Sequence, residues 1–396
     1  MERTATDPVF IVGLYKNGTS WLLSALAAHH EFSALRELDL IRTISRRRWG
    51  LQLRPSRERL ARIFGRTEFC ALRSEQLRPG AFHQYLDAKE FASTRSVYNL
   101  PAELAVSVIA NATVHGRTSN RALPATNPVD TRRPLAYSDF PASVLVEAYT
   151  AVRDGVTIRE VMDGFIEPLR RALPERNRLV LKGADQIASF EDLQTYWPRA
   201  PKIAIVRDGR DAAVSAYHFR QLMRNERLAW HNSYWSYWPF LEQLRNAALS
   251  LTTRISHGFG YGDDWRFGRS MWVWRDRVRQ VLHWAQLGEL YILRYEDLLD
   301  DFPRTLFALL TWLGADATPA TLDAIGKASS FEAMTGRPRG VSAVHHIRRG
   351  MAGEWKSALN SKEKRLALRI AGPELTALGY GPDGARTDMA LRLDAR

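Results

Sequence analysis

Apolar residues fall in short runs separated by amphipathic stretches. Pro8 to Gly13 (PVFIVG) is an apolar run with β-branched residues, the signature of a buried strand. From Thr19 to His29 the apolar positions recur at helical spacing, so the chain opens as strand, loop, helix. Runs at Arg178 to Leu181 (RLVL), Lys202 to Val206 (KIAIV) and Leu290 to Leu293 (LYIL) predict three further strands. Helical patterns are predicted at about 158–172, 190–197, 210–224, 269–287 and 302–313. Strands alternating with helices predict an α/β fold, a central parallel sheet flanked by helices. In such sheets ligands bind beyond the carboxyl ends of the strands.

Two stretches lack this rhythm. Residues 42–80 are arginine-rich and broken by Pro55 and Pro79, with Arg46, Arg47, Arg48 and Trp49 as the densest cluster. That cluster reads either as a nucleic-acid patch or, more commonly, as a solvated face. Residues 110–142 are rich in Asn, Thr, Pro and Arg and read as a long loop or lid.

Composition narrows the classes. The 396 residues leave room for one large α/β domain or two ordinary ones. With 45% hydrophobic and 25% charged residues, the chain is expected to fold around a real core. A single cysteine, Cys70, excludes an internal disulfide framework and a cysteine-rich metal site. No metal-ligand cluster stands out, so no metal is expected. There is no apolar run of membrane-spanning length and no apolar signal core before the first strand, so a cytoplasmic protein without stable membrane insertion is expected. The formal net charge of +13 favours polyanionic partners. Arginine carries it, because the chain has only eight lysines, and each lysine is the more informative for that.

The first candidate chemistry lies between the first strand and helix. Gly13 to Gly18 has the G-x-x-x-x-G spacing of a phosphate loop, followed by Thr19 and Ser20. Backbone amides of such a loop and the following helix N-terminus bind phosphate oxygens. The residue after Gly18 is Thr19, where a nucleotide hydrolase has lysine, and the loop's lysine is Lys16. An ordinary helix cap after a strand is the competing reading. The second candidate begins where KIAIV ends. Arg207-Asp208-Gly209-Arg210-Asp211 leaves the strand and enters a helix that carries Ser215 two turns on. Arginine can grip a phosphate with two nitrogens and serine can donate to it. The competing reading makes Asp208 a helix cap and Arg207 a salt-bridge partner.

In order and content these motifs resemble those of sulfotransferases that use 3′-phosphoadenosine-5′-phosphosulfate (PAPS). Lys16-Asn17-Gly18-Thr19-Ser20-Trp21 resembles the family's 5′-phosphosulfate loop, usually close to YPKSGTTW; here Leu14-Tyr15 replaces Tyr-Pro and Asn17 replaces serine. Arg207 to Phe219 resembles its 3′-phosphate motif, with Gly209 at the usual proline position. Trp274 to Trp284 and then Leu293 to Leu298 resemble its long helix and RYEDL segment. Ser330 to Met334 resembles its SFExM turn, and Ile347 to Lys356 its RKGxxGDWK loop, with Arg349 where lysine is usual. The motifs span residues 10 to 356 in family order. Residues of about 40 to 175 carry no traceable resemblance and are where acceptor recognition is expected.

The resemblance implies a P-loop-like sulfotransferase fold. It implies one domain over residues 1–380 with an acceptor-side insertion at about 40–175, and a C-terminal tail at 381–396. It implies that Lys16 stabilises the leaving 5′-phosphate, while Asn17, Gly18, Thr19 and Ser20 cradle it. Trp21 would pack on the adenine with Tyr295 nearby. Arg207, Ser215, Arg348 and Gly350, with Arg349 beside them, would hold the 3′-phosphate. Positive charge and in-line geometry are what sulfuryl transfer needs besides a base.

The base is less direct. The small-molecule branch has a KTH motif; the matching stretch here is Leu181 to Asp185, where Lys182 fits the lysine and Ala184 replaces the histidine. Tyrosylprotein sulfotransferases use a glutamate after the first helix, and an ungapped count from the loop lysine reaches Glu37. Glu37 is therefore the expected base, with Asp185 or a displaced histidine as alternatives, and Lys182 is expected to support the sulfuryl oxygens. His29, His218 and His283 read as structural, while His345 and His346 lie near the closing loop. The expected partner is a hydroxyl on a carbohydrate, lipid or secondary metabolite, with 3′,5′-adenosine bisphosphate as product and no nucleic-acid partner. The oligomeric state stays open. The rival reading is a P-loop kinase using ATP-Mg, which would need lysine after Gly18 and a magnesium carboxylate.

Overall fold

In the computed structural model the described residues are 7–14, 16–35, 47–48, 51–52, 133–135, 144, 158–173, 178–183, 187, 190–225, 264–341 and 347–389. The chain divides into two compact units. One holds Met1–Val9, Leu26–Ala200 and Asn232–Tyr237; the other holds Phe10–Ala25, Pro201–His231 and Trp238–Arg396.

In chain order the elements are β1 (Val9–Ile11), α1 (Thr19–Ala27), β2 (Phe32–Leu35), β3 (Arg47–Arg48), β4 (Leu51–Gln52), α2 (Ile158–Arg171), β5 (Arg178–Lys182), α3 (Phe190–Tyr196), β6 (Lys202–Val206) and α4 (Gly209–Asn225). They continue as α5 (Asp264–Gln286), β7 (Tyr291–Arg294), α6 (Tyr295–Asp300), α7 (Phe302–Leu313), α8 (Pro319–Ala328), α9 (Phe331–Thr335), α10 (Trp355–Ala358) and α11 (Ser361–Ala377).

In the first unit β2 pairs in parallel with β5, from Phe32 opposite Arg178 to Leu35 opposite Leu181. Leu35 also bridges in parallel to Leu135. β3 and β4 form a small antiparallel pair. In the second unit β1 pairs in parallel with β6, and β6 with β7 from Ile203 opposite Tyr291 to Val206 opposite Arg294. All five residues of β6 are buried, as a strand covered on both faces requires. α4 and α11 pack on α5, and α6, α7 and α8 pack in succession. The expected α/β class with parallel strands and flanking helices is what the chain adopts.

Local signals fix several ends. Asp301 caps α7 by accepting from the Arg304 amide, with Pro303 in its first turn, and left-handed Gly314 closes it. Asn360 opens α11 in a capping box with Glu363. The segment after Tyr380, read from sequence as a tail, is hydrogen-bonded into the second unit. Arg210 donates to the Gly381 and Pro382 carbonyls at 2.8 and 2.9 Å. Arg294 donates to the Leu378 and Thr387 carbonyls at 3.2 and 2.6 Å.

Candidate active site

The loop after β1 turns through two left-handed residues. Lys16 has φ 64° and Gly18 has φ 97°. A lysine held there costs about 1–2 kcal/mol in backbone strain, so surrounding contacts must hold it. Gly18 suits its place for two reasons: the positive φ, and a Tyr295 ring so close that a Cβ would run into it, with Cε2 only 3.1 Å away. The Gly18 carbonyl accepts from the Trp21 and Leu22 amides and so starts α1. The first amides of a helix have no intrahelical acceptor, which makes this turn, free of acidic residues, a place for an anion.

Asn17 ties this loop to β6. Its side chain is fully buried, and Oδ1 accepts from the Arg207 amide at 2.7 Å. Arg207 follows β6 at the carboxyl end of the strand. Its guanidinium sits 4.8 Å from the Tyr295 ring centroid and 3.7 Å from Asp211 Oδ2, and it donates to the Met351 carbonyl at 2.6 Å. Burial opposes the charge on Arg207, but Asp211, Tyr295, Glu296 and Asp208 outweigh it and raise its pKa above the ordinary value. Trp274 Nε1 donates to the Arg207 carbonyl at 3.1 Å. The same indole lies against Gly209, where a Cβ would come within 2.6 Å of the ring. This accounts for glycine at the position where the related motif has proline.

Asp208 and Arg210 are structural partners. Asp208 caps α4 by accepting from the Arg210 amide, and it binds the fully buried Arg210 guanidinium at 2.7 Å. Asp208 as cap is thus one half of the plain alternative, and the Arg207–Asp211 approach is the other. Neither removes Arg207 from the site, because its buried Nε has no hydrogen-bond partner among the described residues. Ser215, half-buried, lies two turns along α4.

The loop around residues 347–356 supplies the other arginines. Arg348 pairs with Glu354 and its Nε is likewise buried without a partner among the described residues. Arg349 lies 3.6 Å from Glu354 and donates to the Gly340 carbonyl at 2.9 Å. Gly350, at φ 66°, packs on the Phe331 ring, with Cε2 2.6 Å from where a Cβ would be. Arg337 braces the loop by donating to the Val341, Ile347 and Arg348 carbonyls. His218 has its pKa lowered, by burial first and then by Arg348 and Arg349.

Trp21 is held among protein groups. Its Nε1 donates to the Ser329 carbonyl at 3.0 Å, Phe302 stacks on it at 5.7 Å, and Tyr295 meets it edge-on at 5.5 Å. The Arg339 guanidinium lies 5.3 Å from its ring centroid. Behind this, Glu296 accepts from the Asp208 amide at 3.1 Å and the Tyr380 hydroxyl at 2.7 Å.

Lys16, Asn17, Gly18, Thr19, Ser20, Trp21, Arg207, Ser215, Tyr295, Arg348, Arg349 and Gly350 all belong to the second unit. Lys182 ends β5 in the first unit and is buried. Glu37, Ala184, Asp185, His345 and His346 lie outside the described residues. Sequence reasoning missed Asp211, Glu296 and Trp274 as organisers. Only Asp211 left a signal, its opposite charge four residues after Arg207.

A donor inventory suits a polyanionic nucleotide. The acids here are engaged: Asp208 by Arg210, Asp211 by backbone amides and Arg207, Glu354 by Arg348 and Arg349. Among the described residues of this unit, a glycine loop, a helix N-terminus and the buried Nε atoms of Arg207 and Arg348 are left to meet an anion. A metal-sized cluster among the described residues occurs at His29, His30 and Glu31, whose ligand atoms lie within 4.8 Å of one another. His29 Nδ1 accepts from the Glu31 amide at 3.0 Å, and the two imidazoles stack at 4.6 Å and 14°. Stacked rings point their lone pairs side by side rather than toward one ion.

Comparison with known proteins bears on this site. A model described as "Sulfotransferase family" matches residues 8–256, and one described as "Sulfotransferase domain" matches residues 194–378. Sulfotransferase 1E1 of Cavia porcellus is 24% identical over 198 residues, covering 46% of this chain and 58% of its own length. The chain spans between 50% and 58% of the curated relatives it matches. Among solved structures, the sulfotransferase domain of the Synechococcus PCC 7002 olefin synthase gives a TM-score of 0.45 at 14% identity, covering 94% of this chain and 97% of its own. The sulfotransferase domain from the curacin biosynthetic pathway gives 0.41 at 15% identity, covering 93% and 98%. No helix among the described residues is long and apolar enough to cross a membrane.

Proposed function

Since the chain belongs to the sulfotransferase family, we propose that it transfers a sulfuryl group from PAPS to a hydroxyl on a carbohydrate, lipid or secondary-metabolite acceptor. The observation that carries this is the pair of buried Nε atoms of Arg207 and Arg348, without a hydrogen-bond partner among the described residues, in the same unit as the glycine loop. A kinase reading has nothing comparable, because Thr19 stands where its lysine is required.

The roles follow from the chemistry of each group. PAPS supplies a sulfuryl group activated by its link to phosphate. The amides of Gly18, Thr19 and Ser20 and the α1 N-terminus bind the 5′-phosphate, with Lys16 held in a strained backbone conformation to offset charge on the leaving oxygen. Arg207 and Arg348 donate to the 3′-phosphate from Nε, supported by Ser215, Arg349 and the Gly350 amide. Trp21 and Tyr295 form the aromatic wall for the base of the nucleotide. Glu37 takes the proton from the acceptor hydroxyl, and Lys182 supports the sulfuryl oxygens.

The test has two arms. Isothermal titration should rank 3′,5′-adenosine bisphosphate well above adenosine 5′-diphosphate and ATP-Mg; preference for ATP-Mg, or no nucleotide binding, sinks the reading. Glu37→Gln should nearly abolish sulfuryl transfer while leaving bisphosphate affinity within a few-fold. Turnover at the wild-type rate would remove Glu37 as base and leave the nucleotide assignment standing.

A further inference from the structure

The first turn of α4 and the loop at 348–355 lie far apart in sequence but converge on one carboxylate. Asp211 is 1% exposed. Its Oδ2 accepts from the Gly353 amide at 2.6 Å and its Oδ1 from the Trp355 amide at 2.9 Å. The same Oδ2 lies 3.7 Å from Arg207 Nη2, and that nitrogen donates to the Met351 carbonyl at 2.6 Å. Between those two amides lies Glu354, the residue that holds Arg348. The Trp355 ring, in turn, covers the Arg210 guanidinium at 3.7 Å.

From this we infer that Asp211 is a positioning residue that holds the Arg348 loop in register with Arg207, and so sets selectivity for a nucleotide bearing a 3′-phosphate. The inference rests on the PAPS reading of the site. Asp211 itself points its oxygens at backbone and at Arg207, and makes no ligand contact in this role. A carboxylate is required because two amides and a cation approach two different oxygens. Asparagine offers one acceptor oxygen and would turn an NH₂ group toward an amide or the guanidinium, donor against donor. Burial pushes the Asp211 carboxyl above its ordinary pKa, while Arg207 and the Trp355 and Gly353 amides pull it back. Those contacts thus favour the charged form that the arrangement uses.

The experiment is isothermal titration with 3′,5′-adenosine bisphosphate and with adenosine 5′-monophosphate, which lacks the 3′-phosphate. Wild type should prefer the bisphosphate; no preference overturns the PAPS reading and this inference with it. Given that preference, Asp211→Asn should cut the bisphosphate-to-monophosphate ratio by about tenfold or more, the scale of a hydrogen bond to a charged group. Monophosphate affinity should stay within a few-fold. Retention of the wild-type ratio overturns the inference alone. In an Arg348→Ala background Asp211→Asn should cost little further, because the loop arginine it positions is gone; fully additive losses overturn the inference. If Asp211→Asn does not fold, hydrogen exchange on the wild type decides. Protection of the Gly353 and Trp355 amides should rise with bisphosphate and not with monophosphate, and equal protection by both overturns the inference.

Discussion

Gly18→Ala separates two costs that usually arrive together. Gly18 (φ 97°) and Gly336 (φ 70°) both occupy the left-handed region in the same unit. Alanine in that region costs about 1–2 kcal/mol. At Gly336, which closes α9, a Cβ meets nothing within 4 Å, so that strain is the whole effect. At Gly18 the Cβ runs into Tyr295, and the ring has little room to retreat. Trp21 meets it at 5.5 Å and the Arg207 guanidinium lies 4.8 Å from its centroid. Overpacking of this kind adds about 1–3 kcal/mol, giving roughly 2–5 kcal/mol in all. Urea unfolding of both variants gives the stability difference, and titration with 3′,5′-adenosine bisphosphate gives the functional one. Gly336→Ala should leave affinity unchanged. Gly18→Ala should weaken it by about tenfold, the equivalent of about 1.4 kcal/mol, by shifting Tyr295 and with it Arg207. A Gly18→Ala protein no less stable than Gly336→Ala, with wild-type affinity, would refute the account of the loop.

Two further outcomes follow from the buried charges behind the loop. Arg210→Met leaves Asp208 buried without its cation and should cost about 3–5 kcal/mol in urea unfolding; a loss below about 1 kcal/mol contradicts that pairing. Glu296 has its carboxyl pKa raised by burial, against the pull of Tyr380 and Arg207. The folded chain therefore holds this proton more firmly than the unfolded one. Its contribution is complete below the unfolded pKa and lost as pH rises through the folded value. Wild type should accordingly gain stability relative to Glu296→Gln as pH falls from about 7 toward 4.5, and parallel pH profiles would contradict the shift.

Where one physical signal dominated, the sequence was legible. β6 and α7 match the apolar run at 202–206 and the helical pattern at 302–313 to the residue, because a strand buried on both faces and a doubly capped helix leave little choice. β7 runs one residue later than its run suggested, since Arg294 can stay in the strand by pairing with Asp297. β2 was not anticipated: Phe32 to Leu35 is four residues long, and its serine is fully buried, so neither length nor alternation marks it. α11 was missed although the Asn360–Glu363 box announces its start. In the site, Arg207 and Asp211 are visible in the sequence as oppositely charged residues four apart, one just before α4 and one in its first turn. The amides that Asp211 holds lie more than 140 residues away, and backbone donors leave no trace in residue type.

The anchoring of the last described stretch has a bearing on biogenesis. Arg210 in the first turn of α4 and Arg294 at the end of β7 are satisfied by carbonyls at Leu378, Gly381, Pro382 and Thr387, and Glu296 by the Tyr380 hydroxyl. Synthesis proceeds from the N-terminus, so the phosphate loop near residue 16 leaves the ribosome long before the groups that complete the scaffold behind it. Until residues 378–387 emerge, these buried groups lack their final partners, so the scaffold behind the phosphate loop is completed only by a segment made roughly 360 residues later.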